Sequence, residues 1–577
     1  MRRGLGRAAV LIGAITVLAR LAGFGRTLVF AHTVGNHSLG TAYATANQVP
    51  NIIFDIVAGG ALTAIVVPVL AGPVQRARDD PAAATDARRT ASALLTWTVL
   101  VLVPLSVLLA LLARPVVTAL LGPHGSAHAT VAAVAARMLV VFAPQIVLYG
   151  LAVVLYGILQ AHHRFSAPAF APLLSSLVVS AAYLAFLQLG NGYQNRLSGL
   201  PRAAELTLSV GTTAGVAALV VTVAVPAWRL GLRLRPALRF PRGVAARVRG
   251  LAAAGIATLA AQDAALVAVI VLANARGGTG ALVLYNYGWQ MFFLPYAVLA
   301  VPVATTAFPL LSAHAAPSGA GEVVSAEADG TPRVSPANTG PANTGPASTG
   351  PASTGPASQP FDAVAAASTR AAVLVSFLGA AALVGAAAPA ARVFVTHQAA
   401  SARELTFAFV AFAPGLVGYG LVANLSRVLL AGGRSRAAAT TTVAGWMAVL
   451  AADLAIVPFV PRRWVVPALG LGNTVGMTVA GAALLGAVIR ARGMACLAGL
   501  PRAALAGLAA AVAGGAAGAV LAAAASRTFA LTAALPAAGL AIVACVVAVT
   551  VFLAVALLTD SADVRAATTR VLRRRTA

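Results

Sequence analysis

The sequence contains no lysine. All 40 basic residues are arginine, set against 14 acids and 8 histidines, for a formal charge of +26 over 577 residues. Charge of either sign is scarce: only 9% of residues are Asp, Glu, Lys or Arg, where a soluble globular protein carries about 25%. With 60% hydrophobic residues and a mean hydropathy of +0.89, this excludes an ordinary soluble domain and predicts a polytopic membrane protein. Cysteine is nearly absent. Cys496 and Cys545 form no CxxC or CxxH spacing, so no disulfide framework and no zinc site is expected, and no metal or cofactor is called for. Nucleic acid is excluded as a partner, because the arginines are dispersed in short segments between apolar runs and form no stripe on a soluble domain. A GC-rich coding bias accounts for the arginine-only usage as well as for the abundance of Ala and Gly.

What is present is a succession of span-length apolar segments. About fourteen are expected, beginning at 8–33, 43–71, 91–119, 129–160, 167–188, 207–229, 250–273 and 282–312. They resume at 366–388, 404–430, 438–460, 464–489, 502–525 and 530–558. The basic N-terminus resembles a signal peptide, but its apolar run continues past any cleavage site and reads as the first span. Even-numbered loops hold most loop arginines, among them Arg76, Arg78, Arg88 and Arg89, then Arg229, Arg233, Arg235, Arg239, Arg242, Arg247 and Arg249. The tail adds Arg570, Arg573, Arg574 and Arg575, which places both termini in the cytoplasm of a plasma-membrane protein. Residues 314–364 contain PANTGPANTGPASTGPASTGPAS, with no apolar face to bury, and are expected to be a disordered cytoplasmic linker.

An internal repeat organises the rest. FAPQIVLYGL at Phe142–Leu151 returns as FAPGLVGYGL at Phe412–Leu421, and Leu159, Ala161 and Arg164 match Leu429, Ala431 and Arg434 in the same register. The copies lie six spans apart, so they point the same way. The expected fold is therefore all-α, with two six-helix lobes related as parallel repeats plus two C-terminal helices. In domain terms this means an N-lobe at 1–249, a C-lobe begun at 250–313 and resumed after the linker at 365–495, the added helices at 496–560, and a basic tail at 561–577.

Polar residues inside these spans are the site candidates. Asn47, Asn51 and Asp55 follow at i, i+4 and i+8 and share one face of the second span, which Pro50 interrupts. Asn286 and Gln290 stand four apart in the eighth span, ahead of Pro295, Pro302 and Pro309. Arg137 either reaches a cavity or snorkels from the outer end of the fourth span. Asp263 and Asp453 are either functional or neutral structural groups, the structural reading being favoured for Asp453. The first span carries Arg20 and Arg26. A guanidinium at the bilayer centre costs about 3 kcal/mol on insertion scales. Six residues place the two about 120° apart on a straight helix, but Gly23 and Gly25 allow a bend toward one cavity. Paired guanidiniums there suit a phosphate or diphosphate, held bidentately.

Four stretches resemble the MurJ/MviN lipid II flippases, within the larger group of multidrug and polysaccharide-lipid exporters. LARLAGFGRT (Leu18–Thr27) resembles the first-helix Arg-x-x-Gly-Phe-x-Arg motif, and Gln48-Val49-Pro50-Asn51 resembles the basic-x-Pro-Asn turn of helix two. GGALTAIVVPVL (Gly59–Leu70) and HHRFSAPAFAPLLSS (His162–Ser176) are similar to the family's Gly-Ala-Phe-x-x-Ala-Phe-Val-Pro segment and its helix-five opening. The resemblance implies a non-enzymatic transporter. It would move undecaprenyl-diphosphate-linked disaccharide-pentapeptide outward by alternating access, with Arg20 and Arg26 gripping the diphosphate and the lipid tail passing between helices one and eight. Asn47, Asn51, Asp55, Gln290, Arg137 and Asp263 are the accompanying cavity-lining candidates. The sequence departs from the family at Thr41, at Phe54 and Asp55, and at Gln290, where the family commonly has an acid, basic residues and an arginine. The departures leave open another polyprenyl-diphosphate oligosaccharide, or a transport-dead scaffold that docks cell-wall synthesis proteins. A membrane glycosyltransferase is disfavoured, because the outer loops are short and poor in carboxylates.

Overall fold

A computed structural model describes residues 2–56, 70, 74–76, 80–122, 125–230, 236–239, 244–315, 359–396, 398–528 and 533–559. Among them every regular element is helical. The first half comprises α1 (Arg2–Thr33), α2 (Ser38–Phe54), α3 (Pro81–Leu111), α4 (Ala113–Leu121), α5 (Gly125–Phe142), α6 (Gln145–Ala161), α7 (Ser166–Gly190) and α8 (Arg202–Trp228). The second half comprises α9 (Val244–Leu272), α10 (Ala281–Pro295), α11 (Val301–Ala315), α12 (Gln359–Gly385), α13 (Ala387–Phe394), α14 (Ala399–Phe412), α15 (Gly415–Ala431), α16 (Ser435–Ile456) and α17 (Val465–Arg492). Two further helices, α18 (Leu500–Thr528) and α19 (Ala534–Thr559), close the chain. The linker repeat, most of the Gly59–Leu70 stretch and the basic tail lie outside the described residues.

Among the described residues twelve helices are long and apolar enough to cross a membrane, or thirteen if α14 and α15, bent by 43°, form one span. The expected second span is described only as α2 and the π-turn that follows at Asp55–Ile56, which accounts for the shorter count. Large apolar side chains face outward all round the bundle. Leu535 and Leu558 are each 86% exposed and Trp228 83%, a surface suited to lipid and not to water. Hydroxyl side chains settle inside these helices by bonding the carbonyl four residues back, as Thr90, Thr98, Ser180 and Ser376 do.

The Phe-Ala-Pro repeat is a repeated helix break. Proline lacks an N–H, so the ladder stops at Phe142 before Pro144 and at Phe412 before Pro414. In both copies the next helix restarts with a tight bond back to the residue before proline, Ile146 to Ala143 and Leu416 to Ala413. A threonine from a later helix stitches each break. Thr213 donates to the carbonyl of Val141 at 3.0 Å, and Thr474 donates to that of Ala411 at 2.6 Å. Each hydroxyl also accepts a bond from the residue after proline, Gln145 Nε2 at 3.0 Å and the Gly415 N–H at 3.2 Å. Both helices end alike, with the N–H of Arg164 on Leu159 O and that of Arg434 on Leu429 O, each 2.8 Å, and a left-handed residue at His163 or Gly433.

The halves meet at one end, where α1 turns into α2. Asn36 Nδ2 donates to Gln398 Oε1 at 3.0 Å, and Gln398 Nε2 lies 3.3 Å from His37 Nδ1. The buried Asn274 amide donates to Thr45 Oγ1 and Leu120 O, both at 3.1 Å, and the Gly280 N–H donates to Thr41 Oγ1 at 2.8 Å. Gly280 has φ +86°, and a Cβ there would stand 2.3 Å from Asn36 O, so only glycine permits this approach. The C-terminal pair packs on α12, where Gly385, Gly518, Ala544 and Ala548 bring backbones together.

Candidate functional site

The sealed end matters because the space between the halves lies away from it. α1 is the least covered of the long helices: Val17, Leu18 and Leu21 are more than half exposed. On its other side Arg20, Gly23 and Arg26 line a cavity of about 550 Å³. The facing walls come from Pro168, Pro172, Ser175 and Ser176 of α7, from Tyr149 of α6, and from Gln290, Phe293 and Ala297. The two arginines thus share one cavity, and no acid is among its described lining residues. Arg20 is exposed and Arg26 half-buried, so neither guanidinium is enclosed by protein. Arg20 also lies 5.5 Å from the Phe293 ring centroid, a cation–π contact across the gap between α1 and the eighth span. Just beyond, a π-turn at Tyr296–Ala300 follows Pro295, the kind of helix irregularity that recurs at functional sites.

Arg26 also borders a smaller space of about 120 Å³ with Asn47, Gln48 and Asn286. In its wall Tyr43 hydrogen-bonds Tyr183, another lining residue, at 2.7 Å and Thr212 at 2.8 Å. A third space, about 370 Å³, is lined by Gln48, Asn51, Asp55, Tyr149, Gln262, Trp289 and Trp446, among others. Gln48 and Asn286 border the second and third spaces, Arg26 the first and second, and Tyr149 the first and third. Each pair of spaces thus shares a wall residue, with arginine on the first and second and amides and indoles around the third.

The family described as "Lipid II flippase MurJ" matches residues 30–331, just over half of the chain. The chain belongs to the MurJ lipid II flippase family.

Two relatives set the scale of the MurJ likeness. A lipid II flippase MurJ from Burkholderia cenocepacia is 29% identical over 323 residues, covering 53% of this chain and 57% of the relative. A probable lipid II flippase MurJ from Rhizobium tropici is 26% identical over 303 residues, covering 52% and 54%. The chain thus spans little more than half the length of the curated relatives it matches. In fold it is similar, at 15% identity and TM-score 0.64, to a lipid II flippase MurJ in an inward closed conformation, over 94% of this chain and 98% of that one. It is also similar, at 13% identity and TM-score 0.60, to an inward-facing multidrug resistance MATE family transporter, over 84% and 98%. These likenesses show a multi-pass membrane transporter fold. The family and the span-length helices agree on a bilayer setting.

Within this MurJ fold the remaining candidates separate. Asn47 borders the small space, Asn51 and Asp55 the amide-lined one, and Gln290 the arginine cavity. Asp263 is buried, with both carboxylate oxygens lacking hydrogen-bond partners, beside Gln262 and Ala265 of the cavity wall. Asp453 is fully buried against Gly472, where a Cβ would come within 1.9 Å of its Oδ1. Arg137 departs from the cavity-lining expectation. It lines none of the three spaces and forms a bidentate salt bridge with Glu205 of α8, Nη2 to Oε2 at 2.7 Å and Nε to Oε1 at 2.9 Å. Glu205, near the start of α8, is the acid that sequence reasoning missed. A single acid in the first turn of an apolar helix was the available signal, and its partner two spans away in sequence was not. Gln48, Trp289 and Trp446 were also missed, because amides and indoles in apolar helices read as packing until a cavity is seen in front of them.

Proposed function

We propose that this protein carries the lipid-linked peptidoglycan precursor lipid II from the inner to the outer leaflet of the plasma membrane by alternating access. Arg20 and Arg26 hold the diphosphate, and the polyprenyl tail stays in lipid beside α1. One observation carries this reading: two arginines six residues apart reach one cavity that no described acid lines, next to a helix whose other face is open to lipid. A guanidinium pair holds a diphosphate by charge-assisted, bidentate bonds, and the headgroup in turn offsets the repulsion between the two cations. Asn47, Asn51, Asp55 and Gln290 then contact the rest of the headgroup, with Asp263 behind them.

The arginine-rich loops and both termini face the cytoplasm, so the sealed end where α1 meets α2 is the outer gate. The seal of Asn36, His37 and Gln398 and the stitch of Asn274 onto Thr45 and Leu120 are then the bonds that outward opening must break. Export of an anionic headgroup runs with an inside-negative potential, worth about 2.3 kcal/mol per charge per 100 mV.

The test is depletion of the protein in its host with other flippases silenced, followed by attack on lipid II with an externally added lipid II-degrading enzyme. Cleavage should fall and return with wild type but not with Arg20→Ala or Arg26→Ala. Undiminished cleavage would remove lipid II as the substrate and favour another polyprenyl-diphosphate glycan or a scaffold.

A further inference from the structure

The third space differs from the other two in charge. Asp55 is the one acid among its described lining residues, and no arginine is among them. Arg26 lines the first and second spaces and Arg20 the first. The Asp55 carboxylate, at the π-turn that follows α2, has no hydrogen bond or ion pair among the described residues. Asp263 stands on α9 between Gln262 and Leu266, which both line the space. It is 2% exposed, neither of its oxygens has a partner, and it is close enough to Asp55 for the two charges to repel. Negative charge is concentrated here, and no described lining residue opposes it.

Five aromatic rings share the wall with Asp55: Phe54, Tyr149, Tyr285, Trp289 and Trp446. Phe54, its neighbour in sequence, packs on Tyr149 at 4.5 Å. The two indoles stand 6.4 Å apart with planes inclined by 49°, so they form two inclined sides of the wall.

A carboxylate taken out of water must be neutralised by a proton or met by a cation. A proton leaves a space of about 370 Å³, well within the range of small-molecule pockets, without an occupant. A metal ion is small for that volume. Hard divalent cations also seek about six or more oxygens, and no three His, Cys, Asp or Glu side chains come together among the described residues. A neutral apolar molecule would fill the volume but leave the carboxylate unopposed. An organic ammonium does both. Its charge pairs with the carboxylate, and its methyl or methylene groups lie on ring faces whose negative quadrupole attracts a cation, more strongly where water is excluded. Any N–H it carries meets the amide oxygens of Gln48, Asn51 or Asn286.

We propose that this space binds an organic ammonium cation, with Asp55 as its counter-ion and the indoles of Trp289 and Trp446 as its seat. The site is opposite in sign to the arginine cavity and needs neither Arg20 nor Arg26. It therefore goes beyond the diphosphate reading and stands or falls apart from it.

The experiment uses the full chain in a neutral maltoside detergent. It titrates benzyltrimethylammonium, a permanent cation, against N,N-dimethylbenzamide, a neutral molecule of similar size, read by calorimetry and tryptophan fluorescence. The cation should saturate with an affinity about tenfold or more above that of the amide, and should change the indole emission. Asp55→Asn keeps the shape of the side chain and should erase most of that difference, while Asp55→Glu should keep it. Where Asp55→Asn fails to fold, Trp446→Phe decides in its place: it should weaken the cation about threefold and leave the amide unchanged. Equal affinity for cation and amide in wild type, or a cation affinity untouched in folded Asp55→Asn, would overturn the site. Farnesyl diphosphate titrated in the same way keeps the two readings apart. If it fails to bind while the cation binds, the diphosphate reading falls and the ammonium site stands.

Discussion

The Arg137–Glu205 pair offers the sharpest separation of structure from transport. Three bonds of 2.7, 2.9 and 3.2 Å join a half-exposed guanidinium to a carboxylate whose side chain is only 7% exposed. Arg137→Ala removes all three and strands the carboxylate. Removing one partner of a fully buried pair costs about 3–5 kcal/mol, whereas an exposed pair is worth about 0–1. With one partner half in contact with its surroundings, we expect a loss near 2 kcal/mol. Replacing both, as Arg137→Leu with Glu205→Leu, removes the uncompensated charge and should recover more than half of that loss. Unfolding of the purified protein by denaturing detergent gives the four corners of the cycle. The double variant should also support lipid II accessibility as wild type does, because neither residue lines any of the three spaces. Arg137→Ala within about 0.5 kcal/mol of wild type, or a double variant less stable than it, would refute the pairing argument. A stable double variant that fails in transport would return Arg137 to the site.

Other outcomes follow from single contacts. Arg26→Lys keeps the charge but loses the fork, and should weaken binding of a diphosphate lipid by about tenfold, less than Arg26→Ala, in the same calorimetric assay. Thr474→Val keeps shape but leaves the Ala411 carbonyl and the Gly415 N–H unpartnered, and should cost about 1–3 kcal/mol in detergent unfolding, with Thr213→Val milder because its second partner is a side chain. Gly418→Ala would drive a Cβ to 2.2 Å from the Met477 carbonyl oxygen, backbone that cannot turn aside, and should lower stability by about 1–3 kcal/mol. Burial holds the His37 imidazole below its ordinary value of 6.5 in the seal, where Asn195 Nδ2 lies 3.2 Å from Nδ1. An opened seal binds more protons, so the closed form keeps its full stability above pH 6.5 and loses it as pH falls through the lowered value. Hydrogen exchange of residues 34–41, corrected for intrinsic rates, should rise between pH 7.5 and 5, and His37→Asn should abolish the rise.

The departures from the family pattern gain meaning from position. Gln290 lines the same cavity as Arg20 and Arg26, so the departure lies in the wall of that cavity. The cationic end is correspondingly smaller, held by α1 alone among the described lining residues. Asp55 borders the amide-lined space instead, so the acid and the arginines line different spaces.

Much was determined by sequence alone. Near-absence of charge and repeated apolar runs force helices, because a backbone in lipid must bond to itself. The Phe-Ala-Pro motif was legible as a repeat, but that helices break there while running on through Pro50, Pro104, Pro172 and Pro226 was not. The pairing of Arg20 with Arg26 was legible as chemistry, since two guanidiniums in an apolar helix demand a reason. Only the tertiary structure decided which polar groups share a space. Spacing along one helix fixes a face, but whether that face meets an acid, a cavity or lipid depends on helices hundreds of residues away. Arg137 found Glu205 by such a contact. Gln48 and Gln262, from separate halves, came to border the same space as Trp446, and no local pattern in the chain records that meeting.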